Sequence, residues 1–344
     1  MTTIVFSPNW LGDAVMALPA IADIRRQAAS GRLLVAARPT VAGLMSLVDG
    51  VDGIVTLAGT GGLSAIRRLG QNIQAIRGQG ADVAILLPNS IHVAVIAARA
   101  GIAERWGYGR GGRRVFLSRA VARPRATLHQ LDDYRHLVAA LGFANGSREP
   151  ELTAPADAVE SARRLLAGRG WTGDRRLVGI APGAAYGGAK RWPPERFARV
   201  IAALNEDHGL TCVLVGGDAD STTAMAIEAE LGKINRRPPA GALINLVGRT
   251  DLPQLCGVVA LGAAFVSNDS GAMHVAAALG VPVVALFGPT NERATSPVGR
   301  RATRVLTSPA WCRPCMLREC PLDHRCLSGI TVDRVVGAVK ELLR

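Results

Sequence analysis

Residues 263–287 have the sequence AAFVSNDSGAMHVAAALGVPVVALF, and this stretch decides the fold class. Two apolar runs that favour strands, residues 263–267 and 281–287, flank an Ala-rich segment with helical periodicity. A polar turn, Asn-Asp-Ser-Gly, joins the first run to the helical segment. A strand, a helix and a second strand in this order are typical of a βαβ unit in a parallel sheet.

The same alternation of short apolar runs and helical segments recurs along the chain. In the first half it predicts strands at residues 3–7, 33–37, 53–57, 83–87, 105–108 and 115–117, and helices at 14–28, 60–77 and 91–100. In the second half it predicts strands at 177–181, 211–215, 243–247, 263–267 and 281–287, with a helix at 194–205. We therefore expect an α/β fold with two Rossmann-like domains whose parallel sheets face a central cleft.

A turn-rich segment divides the two halves. Residues 144–155 read ANGSREPELTAP, which is typical of a linker, and we place the linker at about 144–160. The predicted domains are residues 1–155 and 156–330. Residues 331–344 carry a helical stripe of valine and leucine, and we expect this C-terminal helix to pack back on the first domain.

Composition excludes several classes of protein. Of the 344 residues, 49% are hydrophobic and 19% are charged, which excludes disorder as the main state. The longest apolar stretches run about a dozen residues, against the roughly 20 that a membrane-spanning helix needs. The uncharged start, Met1-Thr2-Thr3, predicts no signal peptide and hence a cytoplasmic location.

Loops that follow predicted strands carry the candidate chemistry, because ligands of open α/β sheets bind beyond the carboxyl ends of the strands. The first loop contains Asn9, then Gly12, which permits a tight turn, and then Asp13 at the start of a helix. An Asp at this position either caps the helix or offers a carboxylate to a ligand.

Three loops in the second half share one predicted sheet edge. Residues 181–193, APGAAYGGAKRWP, place glycines and Lys190 where backbone N–H groups and an ammonium could bind phosphate. Residues 266–274, VSNDSGAMH, put His274 and polar groups at a helix start, where Asp269 or Ser270 either caps the helix or helps to bind an anion or ribose. Residues 287–291 either turn the chain or also close one wall of the same pocket. Asp218 and Asp220 either cap a helix, contact a ribose or hold a metal.

These segments resemble glycosyltransferase family 9. The resemblance rests on residues 9–13 (NWLGD), 87–90 (LPNS), 182–183 (PG), 189–193 (AKRWP) and 268–271 (NDSG), followed by His274. Residues 9–10, 189–192 and 268–270 favour its heptosyltransferase II branch, while heptosyltransferase I or another family 9 activity remains an alternative. A non-catalytic nucleotide-binding protein is the alternative of a different class.

The resemblance implies a GT-B fold and inverting transfer of L-glycero-D-manno-heptose from ADP-heptose to the first heptose of the lipopolysaccharide inner core, with neither a metal nor another cofactor. It implies that Asp13 is the general base and that Asn9 and Gly12 lie on the acceptor side. The implied donor-binding residues are Gly183, Lys190, Asn268, Asp269, Ser270, Gly271 and His274.

The net charge of +13 indicates an anionic partner. Of 40 basic residues only three are Lys and the other 37 are Arg, and aromatic residues make up only 4%, so nucleic acid is a poor candidate. The implied partners are the ADP-heptose donor, a Kdo–lipid A or inner-core glycolipid, and the inner face of the cytoplasmic membrane. We expect Arg105, Arg110, Arg113 and Arg114 to face the acceptor and the membrane.

Six cysteines divide into two groups. Cys212 and Cys256 are solitary on predicted core elements and are expected to be inert. The other four, Cys312, Cys315, Cys320 and Cys326, lie within 15 residues of one another but lack the usual paired CxxC spacing. They are either a zinc or cluster site or free, redox-variable thiols.

Overall fold

The structure is a computed structural model that describes residues 1–28, 30–59, 64–234 and 241–344. The chain forms two compact units, Met1–Glu151 and Leu152–Arg344. In the described ranges, no helix is both long enough and apolar enough to cross a membrane. The predicted start of the helix at 60–77 falls at residues 60–63, outside the described residues.

The first unit contains a parallel sheet with six strands in its described part, in the order β3-β2-β1-β4-β5-β6. The strands are β1 (Thr2–Phe6), β2 (Arg32–Ala37), β3 (Gly53–Thr56), β4 (Val83–Leu86), β5 (Glu104–Tyr108) and β6 (Arg119–Val121). Register is fixed on both sides of β1, where Ile4 lies opposite Leu34 of β2 and Ala84 of β4. All three of these side chains are buried in the core of the first unit.

The helices of the first unit connect consecutive strands of this sheet or follow its last strand. They are α1 (Leu11–Met16), α2 (Leu18–Gln27), α3 (Pro39–Met45), α4 (Ala65–Arg77), α5 (Ile91–Arg99) and α6 (Gln130–Ala140). The single helix predicted at 14–28 is therefore two helices. Pro19 lies in the first turn of α2 and has no N–H to donate to the Val15 carbonyl, which explains the break.

The second unit repeats this architecture. The described strands are β7 (Leu177–Ala181), β8 (Thr211–Leu214), β9 (Leu243–Asn245), β10 (Gly262–Asn268), β11 (Val283–Phe287) and β12 (Thr303–Thr307), in the order β12-β11-β10-β7-β8-β9. Read from β9, this is the same order as in the first sheet. Both sheets therefore have the strand order of a Rossmann fold, and the prediction of two parallel α/β sheets is confirmed.

Helices cover both faces of the second sheet. They are α7 (Ala156–Ala167), α8 (Pro194–His208), α9 (Ser221–Lys233), α10 (Leu252–Ala260), α11 (Gly271–Ala278), α12 (Glu292–Thr295), α13 (Arg325–Ser328) and α14 (Val332–Leu343). One face is built around Trp192 and Phe197, and the other around Phe265 and Phe287.

The C-terminal helix α14 corrects a prediction. We expected it on the first domain, but its apolar face lies in the core of the second unit. Val335, Val336 and Val339 are buried there with residues of α8 and the sheet. The stripe of valines is thus explained by packing within one unit.

The strand predicted at 115–117 is also wrong. Residues Arg113–Phe116 form a 3₁₀ turn, and the sixth strand of the sheet is β6. In this turn the charged Arg113 is fully buried and the apolar Val115 is 81% exposed, which inverts the pattern on which the prediction depended. The edge strand β12 was not predicted, since its sequence TRVLT contains only two apolar residues, Val305 and Leu306.

Strand order determines where ligands can bind. In each sheet the chain reverses its direction of winding between two neighbouring strands, β1 and β4 in the first unit and β7 and β10 in the second. A crevice opens at such a switch point beyond the carboxyl ends of the strands. Three of the four loops that the sequence singled out follow β1, β7 and β10, and the fourth follows β11, the neighbour of β10.

Candidate active site

Three loops meet at the switch point of the second sheet. They follow β7, β10 and β11, which are adjacent strands. The predicted convergence of residues 181–193, 266–274 and 287–291 at one sheet edge is therefore confirmed. Direct side-chain contacts join all three loops.

Lys190 and Asp269 form the central contact of this site. The ammonium Nζ of Lys190 lies 2.6 Å from Oδ2 of Asp269, and the two side chains are only 13% and 6% exposed. The hydroxyl of Thr290, from the loop after β11, donates to the same carboxylate oxygen. The ammonium also lies over the ring of Tyr186, 4.7 Å from the ring centroid. The lysine is thus held in one place and remains partly exposed.

Asn268 joins two of the loops through its side-chain amide. Its Oδ1 accepts a hydrogen bond from the backbone N–H of Trp192 (3.2 Å), and its Nδ2 donates to the carbonyl of Pro182 (2.7 Å). The residue is fully buried. The structure therefore places Asn268 beneath the loops rather than at their surface, and its amide is committed to the protein backbone.

Trp192 anchors the Gly-rich loop in the core. Its indole is fully buried, packs edge-on against Phe197 with ring centroids 5.0 Å apart, and donates from Nε1 to the carbonyl of Ile330 (3.2 Å). Because Trp192 is two residues from Lys190, this anchor limits the movement of the lysine.

The N-terminus of α11 points its first N–H groups toward the same edge. Ser270 is the N-cap residue, yet its side chain makes no capping hydrogen bond and instead lies 3.0 Å from the hydroxyl of Ser267. The first backbone N–H groups, starting at Gly271, can therefore donate hydrogen bonds to an anion, which the helix dipole also favours. His274, one turn further on, is buried at 4% exposure.

Gly183 owes its identity to a close contact within the protein. A Cβ atom at this position would overlap with the carboxylate of Asp220. Asp220 accepts a hydrogen bond from the N–H of Gly217 (3.2 Å) and lies at the start of α9. The Asp220 carboxylate thus closes the turn at residues 217–220, which is the structural role among its alternatives, although no described side chain caps α9 itself. In the described residues no group of His, Cys, Asp or Glu side chains is already arranged to hold a metal.

The candidate residues of the first unit lie at the start of α1. Asn9 is exposed, and Gly12 is the second residue of the helix, so it adopts helical backbone and not the predicted tight turn. Asp13 is the third residue and is half-buried. The buried phenol of Tyr134 lies near it. Burial raises the pKa of Tyr134 well above its ordinary value, and the carboxylates of Asp13 and Asp133 raise it further.

The four arginines expected to face an acceptor divide into two pairs. Arg105 donates to the carbonyls of Phe116 and Ala103 (both 2.7 Å), and Arg113 is fully buried and donates to the carbonyl of Pro88. These two side chains are therefore structural, and the expectation is wrong for them. Arg110 and Arg114 are exposed.

The cysteine-rich segment packs on the Gly-rich loop. The N–H of Ala189 donates to the carbonyl of Arg318 (2.9 Å), and the N–H of Gly188 donates to a carboxylate oxygen of Glu319 (3.0 Å). The hydroxyl of Tyr186 donates to the carbonyl of Met316 (2.7 Å). Residues 316–319 thus support the backbone that leads to Lys190.

Cys212 and Cys256 are buried free thiols, as expected. Burial raises the pKa of each to about 12, so both are protonated and unreactive at neutral pH.

Sequence reasoning missed three residues of the site. Tyr186 and Thr290 contact the charged pair, and Trp192 anchors the loop, yet none was selected as a site residue. Their position in loops that follow β7 and β11 was the available signal.

Two Rossmann-type sheets in one chain, each with the strand order 3-2-1-4-5-6, are the architecture of the GT-B fold. The chain belongs to glycosyltransferase family 9 (heptosyltransferase), whose family model matches residues 67–325. It is therefore a glycosyltransferase, as the motifs predicted.

Relatives and solved structures agree with this assignment. Lipooligosaccharide heptosyltransferase 2 of Haemophilus ducreyi is 31% identical, and the alignment covers 100% of this chain and 99% of that protein. Lipopolysaccharide heptosyltransferase 2 of Escherichia coli is 29% identical over 100% and 99% of the two chains. The structure of E. coli ADP-heptose lps heptosyltransferase II is similar with a TM-score of 0.83 and 26% identity, covering 100% of this chain and 98% of the other.

A fourth comparison concerns the fold alone. The family 9 glycosyltransferase of Veillonella parvula has a TM-score of 0.84 at 23% identity, and the alignment covers 99% of this chain and 97% of that chain.

Proposed function

We propose that this protein transfers L-glycero-D-manno-heptose from ADP-heptose to the first heptose of the lipopolysaccharide inner core, with inversion at the anomeric carbon. The observation that carries the proposal is the Lys190–Asp269 pair beside the uncapped N-terminus of α11. The relatives named heptosyltransferase 2 support the choice of donor and acceptor.

The donor diphosphate binds between Lys190 and the first N–H groups of α11. As the bond between the anomeric carbon and the β-phosphate oxygen breaks, negative charge grows on the departing ADP. A fixed ammonium and a helix N-terminus stabilise this charge more in the transition state than in the bound substrate. Asp269 and Thr290 hold the ammonium in position, and Ser270, Gly271 and His274 form the rest of the donor loop.

Asp13 acts as the general base. An acceptor hydroxyl attacks the anomeric carbon, and its proton passes to the Asp13 carboxylate as the new glycosidic bond forms. Asp13 suits this role because it is half-buried at the start of α1, beside the exposed Asn9 on the acceptor side.

Lys190 and the α11 N-terminus supply the positive charge that a divalent cation provides in other sugar transferases. The transfer step therefore runs without added metal. We expect the same turnover when Mg²⁺ and Mn²⁺ are omitted from the assay, and a requirement for either cation would contradict this part of the proposal.

One experiment tests the reaction and the acceptor together. The purified full chain is offered ADP-heptose and lipid A core acceptors that carry zero or one heptose, and the mass of the product is read. We expect one heptose to be added to the acceptor that already carries one. Addition only to the heptose-free acceptor would instead assign heptosyltransferase I activity, and no mass change with either acceptor would favour the non-catalytic alternative.

We also propose that the first unit makes peripheral contact with the inner face of the cytoplasmic membrane. Trp10, Ile91 and Val115 are 52%, 49% and 81% exposed, and they follow the neighbouring strands β1, β4 and β5. Arg110 and Arg114 are exposed near Val115 in sequence. Apolar side chains next to basic ones are suited to an anionic lipid surface.

Vesicle sedimentation tests this contact. The protein should sediment with vesicles that contain anionic lipid, and the double variant Arg110→Ser and Arg114→Ser should do so less. Equal sedimentation of both proteins would contradict the proposed surface. Arg300→Ser, a variant in the second unit, serves as the matched control.

A further inference from the structure

Four cysteines line one small cavity in the second unit. The cavity has a volume of about 20 Å³, and its wall contains Cys312, Cys315, Cys320 and Cys326 together with Ala189 and Pro289. All four thiols are free. They belong to the segment between β12, which ends at Thr307, and α13, which begins at Arg325.

This segment has little core of its own. Residues 308–324 form neither helix nor strand. Four large apolar side chains of the segment are exposed: Trp311, Met316, Leu317 and Leu322. A stretch of chain that buries so little apolar surface needs another source of order, and small irregular segments commonly obtain it from a bound metal or from disulfides.

The position of this segment matters because it supports the Gly-rich loop, residues 181–193. Its backbone and one carboxylate bond to Tyr186, Gly188 and Ala189, immediately before Lys190. Ala189 is also part of the cavity wall. The order of the thiol cluster and the position of Lys190 are therefore physically linked.

The donor set favours one class of ion. Four sulfur atoms form a tetrahedral site for Zn²⁺, and thiolate ligands disfavour Mg²⁺ and Ca²⁺. Asp323, the carboxylate in the cavity wall, is engaged by Arg325 at 3.0 and 3.2 Å and does not compete with the thiols. Arg325 also lines the cavity, and its positive charge offsets part of the charge of four thiolates.

We propose that Cys312, Cys315, Cys320 and Cys326 bind one Zn²⁺-type ion, which fixes the segment against the Gly-rich loop. The role is structural: the ion holds residues 312–326 together and so keeps Lys190 in place. In the described part of the chain no group of Cys, His, Asp or Glu side chains is arranged to hold an ion, so binding requires the cysteines that line the cavity to change rotamer. Cys312, Cys315 and Cys320 lie outside every helix and strand, so this change leaves both sheets intact.

Metal content of the full chain is the direct test. Protein purified under reducing conditions should contain about one zinc ion per chain by elemental analysis. The variant Cys320→Ser should lose most of this metal, whereas the matched control Cys212→Ser, a buried cysteine of β8, should keep it. Metal-free wild-type protein that gains neither Zn²⁺ nor thermal stability when Zn²⁺ is added would overturn the proposal.

A second measurement on the wild-type protein avoids dependence on a variant that fails to fold. A chelator strong enough to remove zinc should lower the melting temperature and weaken ADP binding, and one equivalent of Zn²⁺ should restore both. Removal of the metal with no change in either quantity would refute the structural link to Lys190. If protein purified under reducing conditions still contained a disulfide among the four cysteines, that result would refute the metal site itself. None of these measurements requires sugar transfer, so their failure is distinct from failure of the proposed function.

Discussion

The ammonium of Lys190 lies 2.6 Å from the carboxylate of Asp269, which joins the loop after β7 to the loop after β10. The two side chains carry opposite unit charges, so the pair itself adds little net charge to the site. A diphosphate that approaches Lys190 also approaches Asp269, and the N-terminus of α11 offsets that repulsion.

Replacing Lys190 with Ala should weaken ADP binding by roughly 10- to 100-fold, because a charged hydrogen bond is lost and Asp269 is left unpaired near the diphosphate. Isothermal titration calorimetry measures the change. Lys233→Ala, at an exposed lysine of α9, is the matched control. The addition of Asp269→Asn should recover part of the loss. Unchanged ADP affinity in Lys190→Ala would remove this lysine from the phosphate site.

Replacing Asp13 with Asn should reduce turnover by roughly 10²- to 10⁴-fold, because the amide cannot accept the acceptor proton. ADP affinity should change little, since the nucleotide binds on the second unit. Asp49→Asn, at an exposed carboxylate of the first unit, should have normal turnover. Near-normal turnover in Asp13→Asn would show that another group takes the proton.

Replacing Asn268 with Ala should destabilise the second unit by about 2–4 kcal/mol, because the N–H of Trp192 and the carbonyl of Pro182 both lose a buried partner. Chemical denaturation followed by tryptophan fluorescence measures the change, with Asn9→Ala, at an exposed position, as the control. A variant with wild-type stability but weak ADP binding would instead place the Asn268 amide on the ligand.

Replacing Arg113 with Met should stabilise the first unit by about 1–3 kcal/mol, since a buried charge with few partners is costly. Among the described residues, Nε and Nη2 of Arg113 have no hydrogen-bond partner. Burial lowers the pKa of Arg113 to about 10. Below about pH 10 the guanidinium is charged in both the folded and the unfolded protein, so the full cost of burying the charge is present; above that pH the cost shrinks. The increase in the free energy of unfolding caused by Arg113→Met should therefore be constant from about pH 6 to 9.

Thermal unfolding across that pH range measures the effect, and Arg114→Met, at the exposed neighbour, should change stability by less than about 0.5 kcal/mol. A large loss of stability in Arg113→Met would show that the buried guanidinium has a favourable partner.

The sequence was most informative where apolar runs are buried on both faces. The central strands β1, β4, β7 and β10 were predicted to within one residue of their observed ends, because strands of a parallel sheet covered by helices are continuously apolar. The loops after them could be selected by rule, since ligands bind beyond the carboxyl ends of such strands.

The sequence was least informative where a residue's environment contradicts its polarity. Arg113 is inside the first unit and Val115 is outside, so a pattern of apolar residues predicts a strand where a 3₁₀ turn forms. The buried role of Asn268 was equally hidden, because its partners are backbone groups of residues 76 and 86 positions away in the chain. Tertiary packing determines such long-range hydrogen bonds, and they cannot be predicted from the pattern of apolar and polar residues around Asn268.

The contact between Gly183 and Asp220 has a consequence for a distant turn. A side chain at position 183 would overlap with the Asp220 carboxylate, which itself terminates the turn after Gly217. That side chain would force the Asp220 carboxylate to move, and the movement would break its hydrogen bond with the N–H of Gly217. Through this contact, a substitution at position 183 would weaken a turn that lies 37 residues further along the chain, at the entrance to α9.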